Sequence, residues 1–201
     1  MNDWKAKEAA KASAAAALQA AFPYLVPVGG KVDSLQAAAK NIRIELSRAF
    51  PGIKFSVKSS RFSMGDSISI RWIDGPNDDQ VEAISCKYQG GYFNSLDDIY
   101  EYSRGAWKDA FGSGKYVSCN RDNSDKAIDS AIRSVFMKRW VGLEDMAPPS
   151  ADEYRSGALM RVNPSGNNYD LQSMIYQVMC KRCWAISKAP KVKELEEGAA
   201  A

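Results

Sequence analysis

Two runs of alternating residues near the middle of the chain constrain its fold more than any other feature. The run IKFSVK at residues 53–58 places an apolar side chain at every second position, and the run SISIRW at residues 67–72 does the same. A two-residue period is typical of antiparallel strands that bury one face and leave the other in water. The polar loop between the runs therefore predicts a β-hairpin over residues 53–72.

The polar face of this hairpin carries cations and hydroxyl groups. Lys54, Lys58 and Arg71 project from it, and we expect Arg61 to lie beside them at the exposed loop tip. Cations and hydrogen-bond donors suit either a phosphate backbone or an acidic protein surface. A solvated outer face without a partner explains the same pattern, because charged side chains are mostly exposed in any protein.

The hairpin lies in a basic part of the chain that is followed by an acidic part. Residues 40–74 contain seven cations and three acids, whereas residues 76–102 contain one cation and six acids. One half of the domain could face a nucleic acid or an acidic surface, or the two halves could attract each other within the fold. We add Arg43, from the basic part, and Trp107, from an aromatic-rich stretch, to the candidate binding residues.

Helical periodicity on both sides of the hairpin predicts an α+β fold in three parts. Residues 1–32 form an Ala-rich N-terminal helix and a linker. Residues 33–147 form a core domain with a small antiparallel sheet, built from the 53–72 hairpin and a strand near Tyr116 and covered by helices. Residues 148–201 follow a double-proline break and form a helical C-terminal unit with a frayed tail.

Composition argues against a hydrolase, although it leaves carboxylate and cysteine chemistry open. The chain has no histidine, which removes the commonest general base, the usual catalytic triads and every His-based zinc motif. We find no complete catalytic motif, no metal site and no cofactor, and we therefore favour a protein without enzymatic activity. The N-terminal segment lacks a secretory signal, and no apolar run approaches the roughly 18 residues of a membrane span. A cytoplasmic protein without a membrane partner is expected.

Three short motifs suggest chemistry, but each has a simpler structural explanation. Cys180 and Cys183 supply only two of the four ligands that a zinc site needs. The sequence FGSGK at residues 111–115 lacks the first glycine and the final Ser or Thr of a phosphate-binding loop, so we predict a glycine turn before a strand. The acids within residues 97–101 fall in a helix predicted over residues 95–103, where the helix dipole favours acidic side chains.

One long segment resembles a known family. The stretches SRAFPGIKFSVKSSRFSMGDSISIRWIDGP and DDIYEYSRGAWKDAFGSGKYV are similar to the large polyvalent protein associated domain 29, over about residues 33–135. This family occurs on phages, plasmids and integrative conjugative elements, sometimes within very large proteins that enter the new host with the DNA. The resemblance implies a mobile-element protein with a role in protecting incoming DNA. It supplies no catalytic residues.

Three functional hypotheses follow, and the third of them is an enzyme of undetected type. The first is a non-enzymatic mobile-element protein that antagonises a host defence, such as CRISPR or restriction, by binding a surface of the defence complex. The alternative is a nucleic-acid-binding accessory factor for transfer or establishment of the element. The possible partners are thus a protein of the defence complex or a nucleic acid, and we identify no small-molecule substrate.

Overall fold

The described part of the chain contains both helices and strands along its length. The computed structural model describes residues 3–30, 32–94, 99–103, 105–137, 143, 146–164 and 169–182. The α-helices within them are α1 (Asp3–Ala21), α2 (Ser34–Ala49), α3 (Asp78–Ser85), α4 (Ala106–Phe111), α5 (Asp125–Met137), α6 (Ala151–Arg155) and α7 (Leu171–Cys180). The strands are β1 (Ser56–Phe62), β2 (Gly65–Ile73), β3 (Gly91–Asn94), β4 (Ile99–Tyr102) and β5 (Tyr116–Asp122). The predicted α+β class is confirmed.

The described residues divide into two units. The first contains the residues up to Trp72 together with Asp79–Asn120, and the second contains Ile73–Asp78 and the residues from Arg121 onward. This division differs from the predicted one after residue 147. The reason is that α5, which the sequence assigned to the core domain, packs with the C-terminal helices and shares their apolar core.

The main sheet has three strands in the order β1-β2-β5. The predicted hairpin is confirmed: β1 and β2 are antiparallel, with Val57 opposite Ile70 and Lys58 opposite Ser69. The strand predicted near Tyr116 is β5, but it runs in the same direction as β2, so the sheet is mixed and not purely antiparallel. Just before β5, the Lys115 N–H donates to a carboxylate oxygen of Asp66 in β2 at 2.6 Å, which is one contact between the two strands.

The alternation of the hairpin divides the sheet into a buried and an exposed face. Val57, Ile68, Ile70 and Trp72 are 5 % exposed or less, whereas Arg71 between the last two is exposed. The buried side chains meet helical residues in the core of the first unit. Its largest fully buried members are Ile42, Leu46, Ile68, Ile70, Trp72, Tyr88 and Phe111.

Helix α2 carries a buried polar residue that organises the first unit. Asp33 caps the helix by accepting the Gln36 N–H at 3.0 Å. Asn41 is fully buried, and its side chain bonds both the N–H and the carbonyl of Val26, at 2.7 and 2.8 Å. The same amide donates to the Phe111 carbonyl at 3.1 Å. One side chain thus ties the linker before α2 to the end of α4.

A second, two-stranded sheet replaces a predicted helix. The helix expected over residues 95–103 is wrong at its C-terminal end, because Ile99–Tyr102 is strand β4 and pairs antiparallel with β3. Residues 95–98 lie outside the described part of the chain. The β4 sequence IYEY is rich in β-branched and aromatic residues, which favour a strand over a helix.

The Ala-rich helix α1 packs against α4. Lys11 forms an ion pair with Asp109 at 3.1 Å, and the Gln19 amide donates to the Ala110 carbonyl at 3.3 Å. Phe22, just after the helix, meets the edge of the Trp107 ring at a centroid distance of 5.1 Å. Neither α1 nor any other helix in the described ranges combines the length and hydropathy that a bilayer span requires.

The second unit is a small helical bundle. Its core is formed by apolar residues of α5, α6 and α7 and the segments between them, including Ile132, Leu159, Leu171 and Ile175. The Arg121 guanidinium donates to the carbonyl groups of Met179 and Arg182 at the C-terminal end of α7, the second of these at 2.9 Å. A capping box at Ser150 starts α6.

Candidate functional site

The exposed face of the three-stranded sheet brings together three of the six residues predicted to bind a partner, namely Lys54, Lys58 and Arg71. We call this surface the basic sheet face, and within the first unit it consists of Lys54, Ser56, Lys58, Ser60, Phe62, Gly65, Ser67, Ser69, Arg71, Tyr116, Ser118 and Asn120. None of these positions carries a carboxylate. The first acid in the alternation is Asp122, at the last position of β5.

The three cations of this face lie close together, and no described acid pairs with them. Arg71 is opposite Ser56 and Lys58 is opposite Ser69, so the Cα atoms of Lys58 and Arg71 are separated by about 8 Å on a standard sheet. Lys54 precedes β1 on the same side of the alternation and is exposed. Among the described residues none of the three forms an ion pair. Each is therefore available to a separate anionic group.

Serine hydroxyl groups fill the space between the cations. Ser60 and Ser67 face each other across β1 and β2, and their oxygens are 2.9 Å apart. Ser56, Ser69 and Ser118 extend the hydroxyl surface over all three strands. Because a hydroxyl both donates and accepts, such a surface can bond phosphate oxygens, sugars or base edges without fixing a sequence.

Arg61 does not lie where the sequence predicted. The turn of the hairpin is formed by Ser63 and Met64, and Arg61 is an odd-numbered residue of β1 opposite Asp66. Its side chain therefore points to the helical side of the sheet, where it forms an ion pair with Asp33 at 2.9 Å. The N–H of Gln36, and then the Arg61 charge, hold the pKa of the Asp33 carboxyl below its usual value. Arg61 belongs to a different surface from Lys54, Lys58 and Arg71.

Arg43 and Trp107 also lie apart from the basic sheet face. The Arg43 guanidinium donates to the Val57 carbonyl at 2.7 Å and so ties α2 to the edge strand β1. The Trp107 ring packs against the Phe111 ring, with centroids 4.8 Å apart, and the Lys87 ammonium lies 4.3 Å from its centre. Both side chains thus have structural partners, and their proposed binding roles stay predictions.

Two aromatic residues on the basic sheet face were missed by the sequence analysis. The Phe62 and Tyr116 rings are stacked, with centroids 6.3 Å apart and planes inclined by 16°. They remain 47 % and 42 % exposed. The two-residue alternation could have placed Phe62 on this face, because Phe62 continues the alternation of β1 beyond residue 58. The local pattern could not predict that β5 lies beside β2, and it is this strand order that brings Tyr116 close to Phe62.

A cleft on the helical side of the same hairpin is the other candidate site. It has a volume of about 630 Å³, and its ionic lining residues are Asp33, Arg61, Asp66, Lys108, Asp109 and Lys115. Three cations thus face three acids. The Arg61–Asp33 ion pair and the bond from the Lys115 N–H to Asp66 are internal to this set. Because its positive and negative charges compensate one another, the cleft should attract an ionic ligand less strongly than the basic sheet face does.

The weak motifs are structural where they can be described. FGSGK is a turn before β5, as predicted, and its Ser113 N–H donates to the Ser34 hydroxyl at 2.9 Å. Cys180 is half-buried on α7, and Cys183 lies outside the described residues. Within the described ranges, no group of three or more His, Cys, Asp or Glu side chains has a geometry that could hold a metal ion.

Comparison with known proteins identifies one part of the chain. No curated protein and no solved structure matches it. The family model of the large polyvalent protein associated domain 29 matches residues 33–124, a segment that contains both the hairpin and β5. This domain is associated with the polyvalent proteins of phages and other mobile elements. Residues 33–124 are therefore similar to the large polyvalent protein associated domain 29 family, and the resemblance noted in the sequence is confirmed.

Proposed function

We propose that this chain is a non-enzymatic nucleic-acid-binding protein of a mobile element, and that the basic sheet face is its binding surface. The observation that carries the proposal is the grouping of Lys54, Lys58 and Arg71 on one exposed face without ion-pair partners among the described residues. Lys58 and Arg71, whose Cα atoms are separated by about 8 Å, can each displace a counterion from a different phosphate, which drives nucleic-acid binding. The serines between them add hydrogen bonds to the backbone.

A role in antagonising a host defence fits this surface in a restricted form. A defence protein that binds nucleic acid uses a positively charged groove. This groove would repel the basic sheet face, because the two surfaces carry charge of the same sign. The basic sheet face is therefore better suited to covering the incoming nucleic acid, or to an acidic surface elsewhere on a defence complex. The second candidate function is binding to such an acidic surface, and the charge of the face is the observation that favours it.

Binding can be measured by fluorescence anisotropy with labelled DNA at several salt concentrations. With three phosphate contacts, log K should fall with log salt with a slope of about −2 to −3. The Lys54→Glu/Lys58→Glu/Arg71→Glu variant should bind at least about tenfold more weakly while its melting temperature is unchanged, since exposed charges contribute within about ±0.5 kcal/mol each.

The matched control reverses three exposed cations outside the basic sheet face. The Lys40→Glu/Lys126→Glu/Arg133→Glu variant undergoes the same change in net charge and should retain most of the affinity. Equal loss in both variants would mean that only the net charge matters, and an unchanged affinity of the first variant would refute the proposed surface.

The second candidate function requires a different experiment. DNA carrying restriction sites is transferred into hosts with and without the matching nuclease, in the presence of the wild-type protein or the face variant. If the wild-type protein binds no DNA in solution but still rescues transfer, and the face variant does not, an acidic protein partner replaces nucleic acid as the ligand. Rescue that is independent of the basic sheet face would refute both candidates.

A further inference from the structure

The basic sheet face continues into a row of four aromatic rings, three of which are exposed. We define this aromatic row as Phe62, Tyr116, Tyr100 and Tyr102. Beyond the Phe62–Tyr116 stack, Tyr116 meets Tyr100 edge-on at 5.5 Å, and Tyr100 meets Tyr102 at 5.0 Å. Tyr102 is 67 % exposed and also lines the cleft on the helical side of the hairpin, so the row ends at the edge of that cleft. Aromatic rings normally bury most of their surface. A continuous row of four, in which Phe62, Tyr116 and Tyr102 are exposed and Tyr100 is half-buried, suggests a ligand that has flat faces of its own.

Two glycines and a lysine hold the rings in place. A Cβ at Gly65, opposite Phe62, would lie 2.6 Å from the Lys115 side chain. A Cβ at Gly91 would lie 2.7 Å from the Tyr100 ring and 2.0 Å from the Glu101 carbonyl oxygen, so that position has room only for glycine. These two positions let the lysine and the Tyr100 ring lie directly against the strands.

Further contacts fix the same group of side chains. The Tyr100 hydroxyl donates to the Lys115 carbonyl, and the Lys115 ammonium donates to the Met64 carbonyl at 3.0 Å. That ammonium also lies 4.9 Å from the centre of the Tyr100 ring and 5.3 Å from that of Tyr116. Rings held by packing and hydrogen bonds lose little conformational entropy when a ligand stacks on them, which favours binding.

The row and the cations lie on one continuous surface. Phe62 follows Lys58 by four residues on the same side of β1, a distance of about 13 Å along the strand. A ligand along β1 would therefore meet positive charge at one end and aromatic faces at the other. Nucleic acids present this combination of phosphate groups and flat bases when the bases are unpaired. In a duplex the base faces are stacked on one another, and only their edges are accessible.

We infer that the ligand of this chain is single-stranded nucleic acid, with its phosphates on the basic sheet face and its bases stacked on the aromatic row. The inference rests on the proposed function and specifies its ligand. A proline-rich peptide also binds to exposed aromatic side chains, but it has no phosphates for the adjoining cations. Charge complementarity therefore favours the nucleic acid.

The test compares labelled oligo(dT) of about 15 nucleotides with a duplex of the same length. Wild-type protein should bind the single strand at least about tenfold more tightly. Phe62→Leu and Tyr116→Leu keep apolar bulk but remove the ring faces, and each should weaken oligo(dT) binding about tenfold. Tyr169→Leu is the matched control, because Tyr169 is 56 % exposed in the second unit, and its affinity should not change.

A strand of the same length that lacks bases separates stacking from charge. Wild-type protein should bind this abasic strand weakly, and Phe62→Leu/Tyr116→Leu should weaken that binding less than about threefold, because no bases are present to stack. The Lys54→Glu/Lys58→Glu/Arg71→Glu variant should weaken binding to both strands. Melting temperatures of all variants, measured in parallel, identify any that are unfolded.

The outcomes distinguish this inference from the proposed function. Suppose that Phe62→Leu and Tyr116→Leu bind oligo(dT) as tightly as wild type while the charge-reversal variant binds more weakly. The aromatic row then does not stack with bases, but the proposed function stands. Equal or tighter binding of the duplex, or tighter binding of a polyproline peptide than of oligo(dT), also overturns the inference. If wild-type protein binds no nucleic acid under any salt condition, both are wrong.

Discussion

Replacing Asn41 should destabilise the first unit more than the loss of any one exposed charge. Its fully buried amide satisfies three backbone groups, namely the N–H and carbonyl of Val26 and the carbonyl of Phe111. The Phe111 carbonyl is buried, and a buried group left without a partner costs about 1–3 kcal/mol. The two Val26 groups are only partly buried and can reach water, so each hydrogen bond contributes about 0.5–1.5 kcal/mol.

These contributions sum to about 2–6 kcal/mol for Asn41→Ala. Asn41→Leu fills the volume but leaves the same three groups unpaired, so a similar loss in both variants would assign the cost to hydrogen bonding and not to a cavity. The assay is urea unfolding followed by tryptophan fluorescence, since Trp72 is 2 % exposed and should report on the core. Ser47→Ala, an exposed change on the same helix, is the control. A loss below about 1 kcal/mol in both Asn41 variants would refute the reasoning.

Three further predictions concern single residues. Gly112→Ala should destabilise the fold by more than about 2 kcal/mol in urea unfolding, because its φ is +87° and a Cβ would lie 2.1 Å from the Ser34 carbonyl oxygen. Gly105→Ala, with no atom within 4 Å of the added Cβ, should be close to neutral. Burial, and to a smaller extent the negative charge of Glu45, raise the pKa of the Tyr88 hydroxyl above its ordinary value of 10.0. The unfolding free energy should therefore fall as the pH rises above about 10, where only the unfolded chain ionises, and Tyr88→Phe should reduce this fall. Arg121→Lys keeps the charge but loses the planar fork at the end of α7, and it should lower the melting temperature of the second unit.

The features that the sequence predicted correctly depend on short-range periodicity. The hairpin follows from a two-residue period. The helices beside it follow from a helical period, which in α5 places Ile128, Ile132 and Val135 on one buried face. Both patterns can be recognised without knowing what the element packs against. The same patterns say nothing about the partner, so the shared apolar core of α5 and the C-terminal helices is seen only in the structure.

The features that the sequence missed depend on contacts between distant parts of the chain. Phe62 and Tyr116 form a stack only because β5 lies beside β2, and this neighbour is chosen by the packing of the whole unit. Asn41 looked like an ordinary polar position in α2, because its three partners lie 15 and 70 residues away. Strand β4 is only four residues long, too short for its period to be distinguished from that of a helix with acidic residues.

The position of each cation, and not their number, identifies the binding surface. Of the seven cations between residues 40 and 74, Arg43, Arg48 and Arg61 have structural partners: a backbone carbonyl, the Tyr24 ring and the Asp33 carboxylate. Each of these three contacts holds a strand, a linker or a helix start in place, so a local excess of positive charge alone does not indicate a ligand. Lys54, Lys58 and Arg71 differ because the strand register directs them to the side of the sheet opposite the core. A shift of one residue in the pairing of β2 would direct Arg71 into the core and Ile70 and Trp72 into water, at the cost of burying a charge and exposing two large side chains. The same burial of Ile68, Ile70 and Trp72 that stabilises the first unit therefore keeps Arg71 on the exposed face, and the burial of Val57 does the same for Lys58 on β1.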